Sequence, residues 1–289
     1  MDHNNEWIRD EQDGLNEVEP EKEYSCTEQI EEDTDRVRTG MFSDIGKREY
    51  QQDTARVSES YVYIADRRII GILCDGMGGL SGGELASGYC VEKLYEIFNT
   101  VNASEDIPRF YSLMIDKLDQ QVKAMTNADG KPLGAGTTLV SVVIDDGRLF
   151  WASVGDSRIY LINDASTLCL TRDHNYRMVL ESQVRKGLIT AQDAMIHPKR
   201  EALISYIGMG GVKCADISEK PFLLRGNDRL LLCSDGLYRS LSEEEMANII
   251  RDAGDDMEGA ARELVLTAIG KGKHHQDNTT AVVIKYLDM

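Results

Sequence analysis

Short apolar runs separated by turn residues fill the chain from about residue 37 onward, and two periodicities alternate along it. An extended segment is expected from Val37 to the turn Asp44-Ile45-Gly46. Residues 62–65 and 69–74 read as strands joined by Asp66-Arg67-Arg68. From 81 to 100 the period becomes helical, with Leu85, Val91, Leu94, Tyr95 and Phe98 as the apolar stripe and Leu85, Val91, Leu94 and Phe98 assigned to the core. A second helix is predicted over 107–125, closed by Asn127-Ala128-Asp129-Gly130. Strands follow at 137–144, Arg148–Val154 and Arg158–Ile162, the first two joined as a hairpin by Asp145-Asp146-Gly147. Residues 174–196 read as helical and lead through Pro198 to Gly208-Met209-Gly210-Gly211. A fully apolar strand, Arg229–Cys233, precedes helices at 242–252 and 256–269 and a last strand, Thr279–Tyr286. Hairpin strands with helices gathered in separate blocks predict an α+β layered domain rather than a parallel α/β sheet.

Charge separates the first residues from the rest. Residues 1–35 carry 14 acidic side chains against Arg9 and Lys22, a balance of −12 in a chain of −18. So acidic a stretch, poor in apolar residues, is predicted to be a disordered tail covering 1–36, with the folded domain over 37–289. The acidic balance speaks against nucleic-acid binding, because phosphate backbones would be repelled. No run of 18 apolar residues suggests a membrane span, and Met-Asp-His-Asn-Asn-Glu does not resemble a secretory signal, so a cytoplasmic protein is expected. The six cysteines form no Cys-x-x-Cys pair and are expected to be free thiols, with Cys74 and Cys233 as small buried hydrophobes.

One device recurs. The strand ending at Cys74 runs into Asp75-Gly76, Leu230–Ser234 runs into Asp235-Gly236, and 149–154 runs into Gly155-Asp156-Ser157. Asp277 stands just ahead of the last strand. A buried strand fixes its terminal side chain at the rim of a sheet, and glycine lets the chain turn sharply beside it. Read singly, these are turn residues or helix caps. Read together, they are carboxylates that could share a site only with cations between them, and hard oxygen ligands favour Mg²⁺, Mn²⁺ or Ca²⁺. Spacing along the chain leaves both readings open.

The ordered series of motifs is more specific. Gly46-Lys47-Arg48-Glu49-Tyr50-Gln51-Gln52-Asp53 is followed by Asp75-Gly76-Met77-Gly78-Gly79 with Gly83-Glu84-Leu85-Ala86-Ser87, then Gly136-Thr137-Thr138-Leu139. Val154-Gly155-Asp156-Ser157-Arg158-Ile159-Tyr160, Thr171-Arg172-Asp173-His174, Cys233-Ser234-Asp235-Gly236-Leu237 and Asp277-Asn278-Thr279-Thr280 complete it. Over about residues 38–287 this series resembles the bacterial form of the metal-dependent (type 2C, PPM) protein phosphatases. The resemblance implies a four-layer α-β-β-α sandwich of two antiparallel sheets flanked by helices. It also implies hydrolysis of phosphoserine and phosphothreonine in proteins by direct attack of metal-bound water, opposite a serine/threonine kinase.

In that family's pattern Asp75 bridges two Mg²⁺ or Mn²⁺ ions and the Gly76 carbonyl binds one of them. Asp235 and Asp277 complete the first ion's shell, Asp53 serves the second, and Asp156 matches a ligand of a third, weaker ion. Arg48 matches the arginine that grips the substrate phosphate, a task suited to a planar fork of donors. The plainer alternatives are an Arg48–Glu49 pair and an Asp156–Arg158 pair at the surface. Met77 stands where many eukaryotic members have a histidine, and Gln51-Gln52 leaves Asp53 as the only carboxylate in its motif. Residues 174–211 resemble the bacterial flap, within which His174 is read as a capping or packing residue. His274-His275 are read as surface loop. A catalytically silent phosphoprotein binder and a hydrolase of another phosphoester are the competing classes.

Overall fold

Where short apolar runs alternate with turns, the backbone pairs into two antiparallel sheets. The computed structural model describes residues 37–58, 68–78, 82–100, 106–272 and 274–287, all within one unit, Asp35–Met289. The proposed tail and the strand expected at 62–65 lie outside the described residues.

One sheet has five strands in the order β1 (Val37–Asp44), β12 (Thr279–Tyr286), β11 (Arg229–Cys233), β7 (Arg158–Ile162), β8 (Thr167–Cys169). The other runs β10 (Phe222–Leu223), β6 (Arg148–Val154), β5 (Leu139–Asp145), β3 (Arg68–Met77), β2 (Asp53–Val57). To it are added β9 (Asp216–Ile217) on β6 and β4 (Gly136–Thr137) on β3. Two helices, α1 (Gly82–Thr100) and α2 (Ile107–Lys123), cover the second sheet. The first is covered by α6 (Glu243–Asp252) and α7 (Met257–Gly270), with the single-turn α5 (Asp235–Tyr238) beside them.

Three apolar clusters correspond to the three interfaces between four layers. Ile70, Ile72, Leu94, Tyr111 and Leu118 lie between helices and the seven-stranded sheet. Leu73, Val142, Ile159, Leu232 and Ile284 lie between the sheets. Leu231, Val283, Ile250 and Leu264 lie beneath α6 and α7. The alternation of Ile72 and Leu73, or Leu231 and Leu232, between clusters is the two-residue period of strands buried on both faces. The α-β-β-α sandwich follows from that pattern, and the α+β expectation holds.

Several boundaries are those the pattern predicts, including Arg148–Val154 and Thr279–Tyr286. The hairpin turn also forms, with Asp145 opposite Arg148 and left-handed φ values at Asp146 and Gly147 of 50° and 76°. The strand expected to end at Cys74 continues to Met77, so Asp75 lies within β3, and the strand expected at 137–144 is divided between β4 and β5. Two helix expectations also need correction. Leu85 is more than half exposed, while Ala86, Cys90, Val91, Leu94 and Phe98 make the buried stripe of α1. The inward face already includes Gly82 and Gly83, and it passes through Ala86 and Ser87 rather than Leu85. The single helix expected over 174–196 is two helices, α3 (Tyr176–Arg185) and α4 (Ala191–Ile196). Gly187 takes a left-handed φ of 69° after α3, and Thr190 opens α4 with a reciprocal capping box to Asp193.

The segment returning from these helices is anchored by a residue the motifs do not mention. Asp119 of α2 is buried, and its carboxylate accepts backbone N–H groups from Gly208 at 2.7 Å, Gly210 at 3.2 Å and Gly211 at 2.6 Å. All three glycines have left-handed φ, which folds successive N–H groups around one anion. Next to them Ile207 exchanges backbone hydrogen bonds with Thr137, at 2.9 and 3.0 Å, so the loop is tied to β4 at the edge of the carboxylate cluster.

Candidate active site

The carboxylates gather where the ends of the two sheets meet. β2 and β3 pair so that Asp53 stands directly opposite Asp75. Opposed side chains on antiparallel strands have Cβ atoms only about 4.5–5.5 Å apart, and like charges there repel. The Asp75 backbone is held from both sides: its N–H donates to Thr138 Oγ1 at 2.9 Å, and its carbonyl accepts from the Thr138 N–H at 2.9 Å and from Thr137 Oγ1 at 3.0 Å. Thr138 Oγ1 also shares a hydrogen bond of 2.8 Å with Ser157 Oγ, beside Asp156.

The five-stranded sheet supplies the rest. Ser234, which follows β11, donates from Oγ to Asp53 Oδ2 at 2.7 Å and accepts the Thr280 N–H at 3.0 Å, so one hydroxyl links the two sheets. Asp235 is the first residue of α5, rather than the last of a strand, and its carboxylate is buried. Asn278 and Gln276 fasten the loop that carries Arg48. Asn278 Nδ2 donates to the carbonyls of Ile45 at 2.9 Å and Tyr50 at 3.0 Å, and its Oδ1 accepts the Gln52 N–H at 2.8 Å. Gln276 accepts the Lys47 N–H on its carbonyl at 3.0 Å and donates from Nε2 to the Gly236 carbonyl at 2.9 Å. Glycine is required at Gly76, where a Cβ would come 2.2 Å from the Gly83 carbonyl oxygen and 2.7 Å from that of Gln52. Gly236 is similarly confined, 2.2 Å from the Asn278 oxygen.

Among the described residues, two arginines approach this cluster. Arg48 donates from Nη2 to Asp277 Oδ2 at 2.5 Å, so the pair with Glu49 considered above is replaced by one with Asp277. Arg239 lies between Asp235 and Asp156. Arg158 is not the partner of Asp156: it makes two 2.8 Å bonds to Asp173 and stacks over the Tyr238 ring at 3.7 Å. His174 is wholly buried, accepts the Gly155 N–H on Nδ1 at 3.2 Å, and places Nε2 at 3.5 Å from Asp216. It therefore braces the turn that carries Asp156, as a packing residue does. His274 and His275 are exposed.

Burial and mutual repulsion set the proton affinity of the cluster. Burial, with Asp235 and Asp277 nearby and against the Ser234 hydrogen bond, pushes Asp53 from the ordinary 3.8 up to about 7. Burial and Asp235 push Asp156 up to about 7 as well, against the pull of Arg239. Desolvation and then Asp53, Asp235, Asp156 and Asp277 hold Asp75 well above the carboxylate range. Asp235 is raised by burial and by Asp277, with Arg239 and Arg48 opposing.

Among the described residues, no three His, Cys, Asp or Glu side chains close into a finished ligand cage. The chemistry of the donors nevertheless fits a hard cation. Asp53 Oδ1 and Asp235 Oδ1 are buried without a hydrogen-bond partner, a costly state for a carboxylate oxygen. A divalent cation that prefers oxygen ligands would satisfy both and remove the repulsion across β2 and β3.

This electrostatic arrangement makes a prediction for the metal-free protein. Asp53 and Asp156 hold protons more tightly folded, near 7, than unfolded, near 3.8. The stability they contribute is therefore complete below pH 3.8 and lost as pH rises through 7. In EDTA, the melting temperature should fall between pH 5 and pH 7.5 by about 5 °C or more at fixed ionic strength. Saturating Mn²⁺ should flatten that slope. Melting temperatures that rise over the same interval in EDTA would show that the carboxylates are not in conflict.

Comparison with known proteins agrees with this geometry. Residues 43–265 match the model of the family described as protein phosphatase 2C. The serine/threonine phosphatase stp of Listeria monocytogenes is 32% identical over 207 residues, covering 71% of this chain and 79% of that protein. The Streptococcus agalactiae serine/threonine phosphatase superposes with a TM-score of 0.74 at 27% identity, covering 87% of this chain and 100% of that one. The catalytic domain of the serine/threonine protein phosphatase PstP, solved with two manganese ions, gives a TM-score of 0.67 at 26% identity, covering 87% and 99%. The chain belongs to the protein phosphatase 2C family and is a metal-dependent phosphoprotein phosphatase of the serine/threonine class.

Proposed function

We propose that the chain hydrolyses phosphoserine and phosphothreonine in proteins at a centre for two Mg²⁺ or Mn²⁺ ions, with a weaker third position. The observation that carries this is the opposition of Asp53 and Asp75, joined from the other sheet by Asp235, with two buried oxygens lacking partners. Asp75 would be shared by both ions, with the Gly76 carbonyl, Asp235 and Asp277 on one side and Asp53 on the other. Asp156 would serve the third. When bound, such ions lower the pKa of a coordinated water, making it the nucleophile, and offset charge on the phosphoryl oxygens.

The residues of the chain do the remainder. Arg48 stands at the solvent-facing rim with its side chain 58% exposed, where its fork can take two phosphoryl oxygens in place of Asp277. Asn278 and Gln276 hold the loop from Ile45 to Gln52 so that this fork faces the cluster. Met77 offers no proton, so the departing alkoxide takes one from another donor. Substrates are phosphoproteins, and a serine/threonine kinase is the expected antagonist. Among the described residues no helix is long and apolar enough to cross a membrane, and the five described cysteines are all free. Free thiols support a cytoplasmic setting. A silent phosphoprotein binder is disfavoured because Asp75, Asp235 and Asp277 are all retained.

Phosphate release from phosphothreonine, phosphoserine and phosphotyrosine peptides tests the proposal. Release from the first two should vanish in EDTA and return with Mn²⁺ or Mg²⁺, while phosphotyrosine lags. Undiminished turnover by metal-stripped protein would overturn it.

A further inference from the structure

Arg239 lies one helical turn beyond Asp235, at the C-cap of α5, where its N–H donates to the Asp235 carbonyl at 3.0 Å. Residues four apart on a helical turn share a face, so the guanidinium returns alongside the Asp235 carboxylate. One nitrogen, Nη2, stands 3.0 Å from Asp235 Oδ2 and 3.4 Å from Asp156 Oδ2. The two carboxylates come from separate elements, the start of α5 and the turn between β6 and β7, and a single cation joins them. Among the described residues, no other arginine near the cluster is so placed. Arg158 is committed to Asp173 and Tyr238, and Arg48 to Asp277.

Exposure divides the group in a telling way. The carboxylate side chains are 6% and 13% exposed, whereas that of Arg239 is 43% exposed. The arginine reaches inward from solvent on a long stem, so it can withdraw without unpacking the core. The carboxylates cannot follow it, because Asp156 is held by the His174-braced turn and Asp235 by α5.

We propose that Arg239 is a resident counter-cation for the Asp156–Asp235 pair and competes with a divalent cation for it. The inference rests on the metal reading above and deepens it. An oxygen facing Nη2 at hydrogen-bond distance cannot also coordinate a cation on that side, and two cations at such spacing repel. A divalent ion at Asp156 therefore binds at the expense of the arginine pair, and Arg239 sets how much metal the third position needs. Arg239 is in this sense a positioning residue: it keeps the two carboxylates compensated and in register until metal arrives.

The test is a calorimetric titration of Mn²⁺ into full-length, EDTA-stripped protein. Arg239→Met keeps the aliphatic stem and removes the charge, so the weakest Mn²⁺ step should tighten by about two- to fivefold, the scale of one partly exposed charge pair. Arg239→Lys restores a cation and should lie near wild type. Arg185→Met, in α3 of the flap, removes the same charge elsewhere and should leave the titration unchanged. In EDTA, the melting temperature of Arg239→Met should fall below that of Arg185→Met, a stability readout independent of metal. Unchanged or weaker Mn²⁺ binding by Arg239→Met would overturn the inference, as would equal tightening in Arg185→Met. A wild-type protein that takes up no Mn²⁺ at all would instead overturn the metal reading on which it rests.

Discussion

Asp75→Asn should lower kcat at saturating Mn²⁺ by about a thousandfold or more, while the metal-free protein becomes more stable. Both halves have one cause. Asp75 stands opposite Asp53 and feels every other carboxylate in the cluster. As the carboxylate proposed to touch both ions, it is the residue whose charge matters most to holding them together, and two-metal catalysis depends on that pairing. Without metal the same carboxyl is a liability, because burial first and then the neighbouring carboxylates penalise its charged form. The asparagine is nearly isosteric, so the backbone bonds from Thr137 and Thr138 should persist. Phosphate release and a melting curve in EDTA check the two halves on one sample. A variant that loses activity and also melts lower without metal would assign Asp75 to structure instead.

Arg48→Ala should reduce kcat/KM on a phosphothreonine peptide by about 30- to 1000-fold, or 2–4 kcal/mol, the scale of donors that act on a transferring phosphoryl group. Its exposed position leaves the fold untouched, since the loop is held by Asn278 and Gln276 through backbone groups. The pair with Asp277 is the complication. If Arg48 serves substrate, Mn²⁺ affinity by calorimetry should stay within about threefold of wild type, because an exposed pair is worth little. Collapse of Mn²⁺ binding in Arg48→Ala would reassign the residue to the metal shell.

Most of the architecture was legible in the chain because strands and helices here obey their periods. Ile69 to Cys74, Leu230 to Cys233 and Ala281 to Ile284 are apolar on both faces, the mark of strands packed between layers. β2 was not legible: Thr54-Ala55-Arg56-Val57 is short and mixed, and pairing with β3 makes it a strand. That pairing placed Asp53 opposite Asp75. Residues 174–196 read as one helix because their apolar spacing runs across a break decided by Gly187 and the Thr190 cap.

The sequence by itself determined the donor types, their order along the chain and the glycines beside them, since those are local properties of strand ends and turns. It also carried Asn278 in the Asp277-Asn278-Thr279-Thr280 motif, though not the three hydrogen bonds by which Asn278 fastens the Arg48 loop. Only the tertiary structure decided which charges meet. Arg158 sits two residues from Asp156 yet pairs with Asp173, whereas Arg239, 83 residues away, reaches Asp156. Asp119 likewise gives no sign along the chain that it holds glycines some 90 residues later. Such partnerships are set by how sheets stack and where loops return, and Coulomb interactions depend on distance in space rather than along the chain.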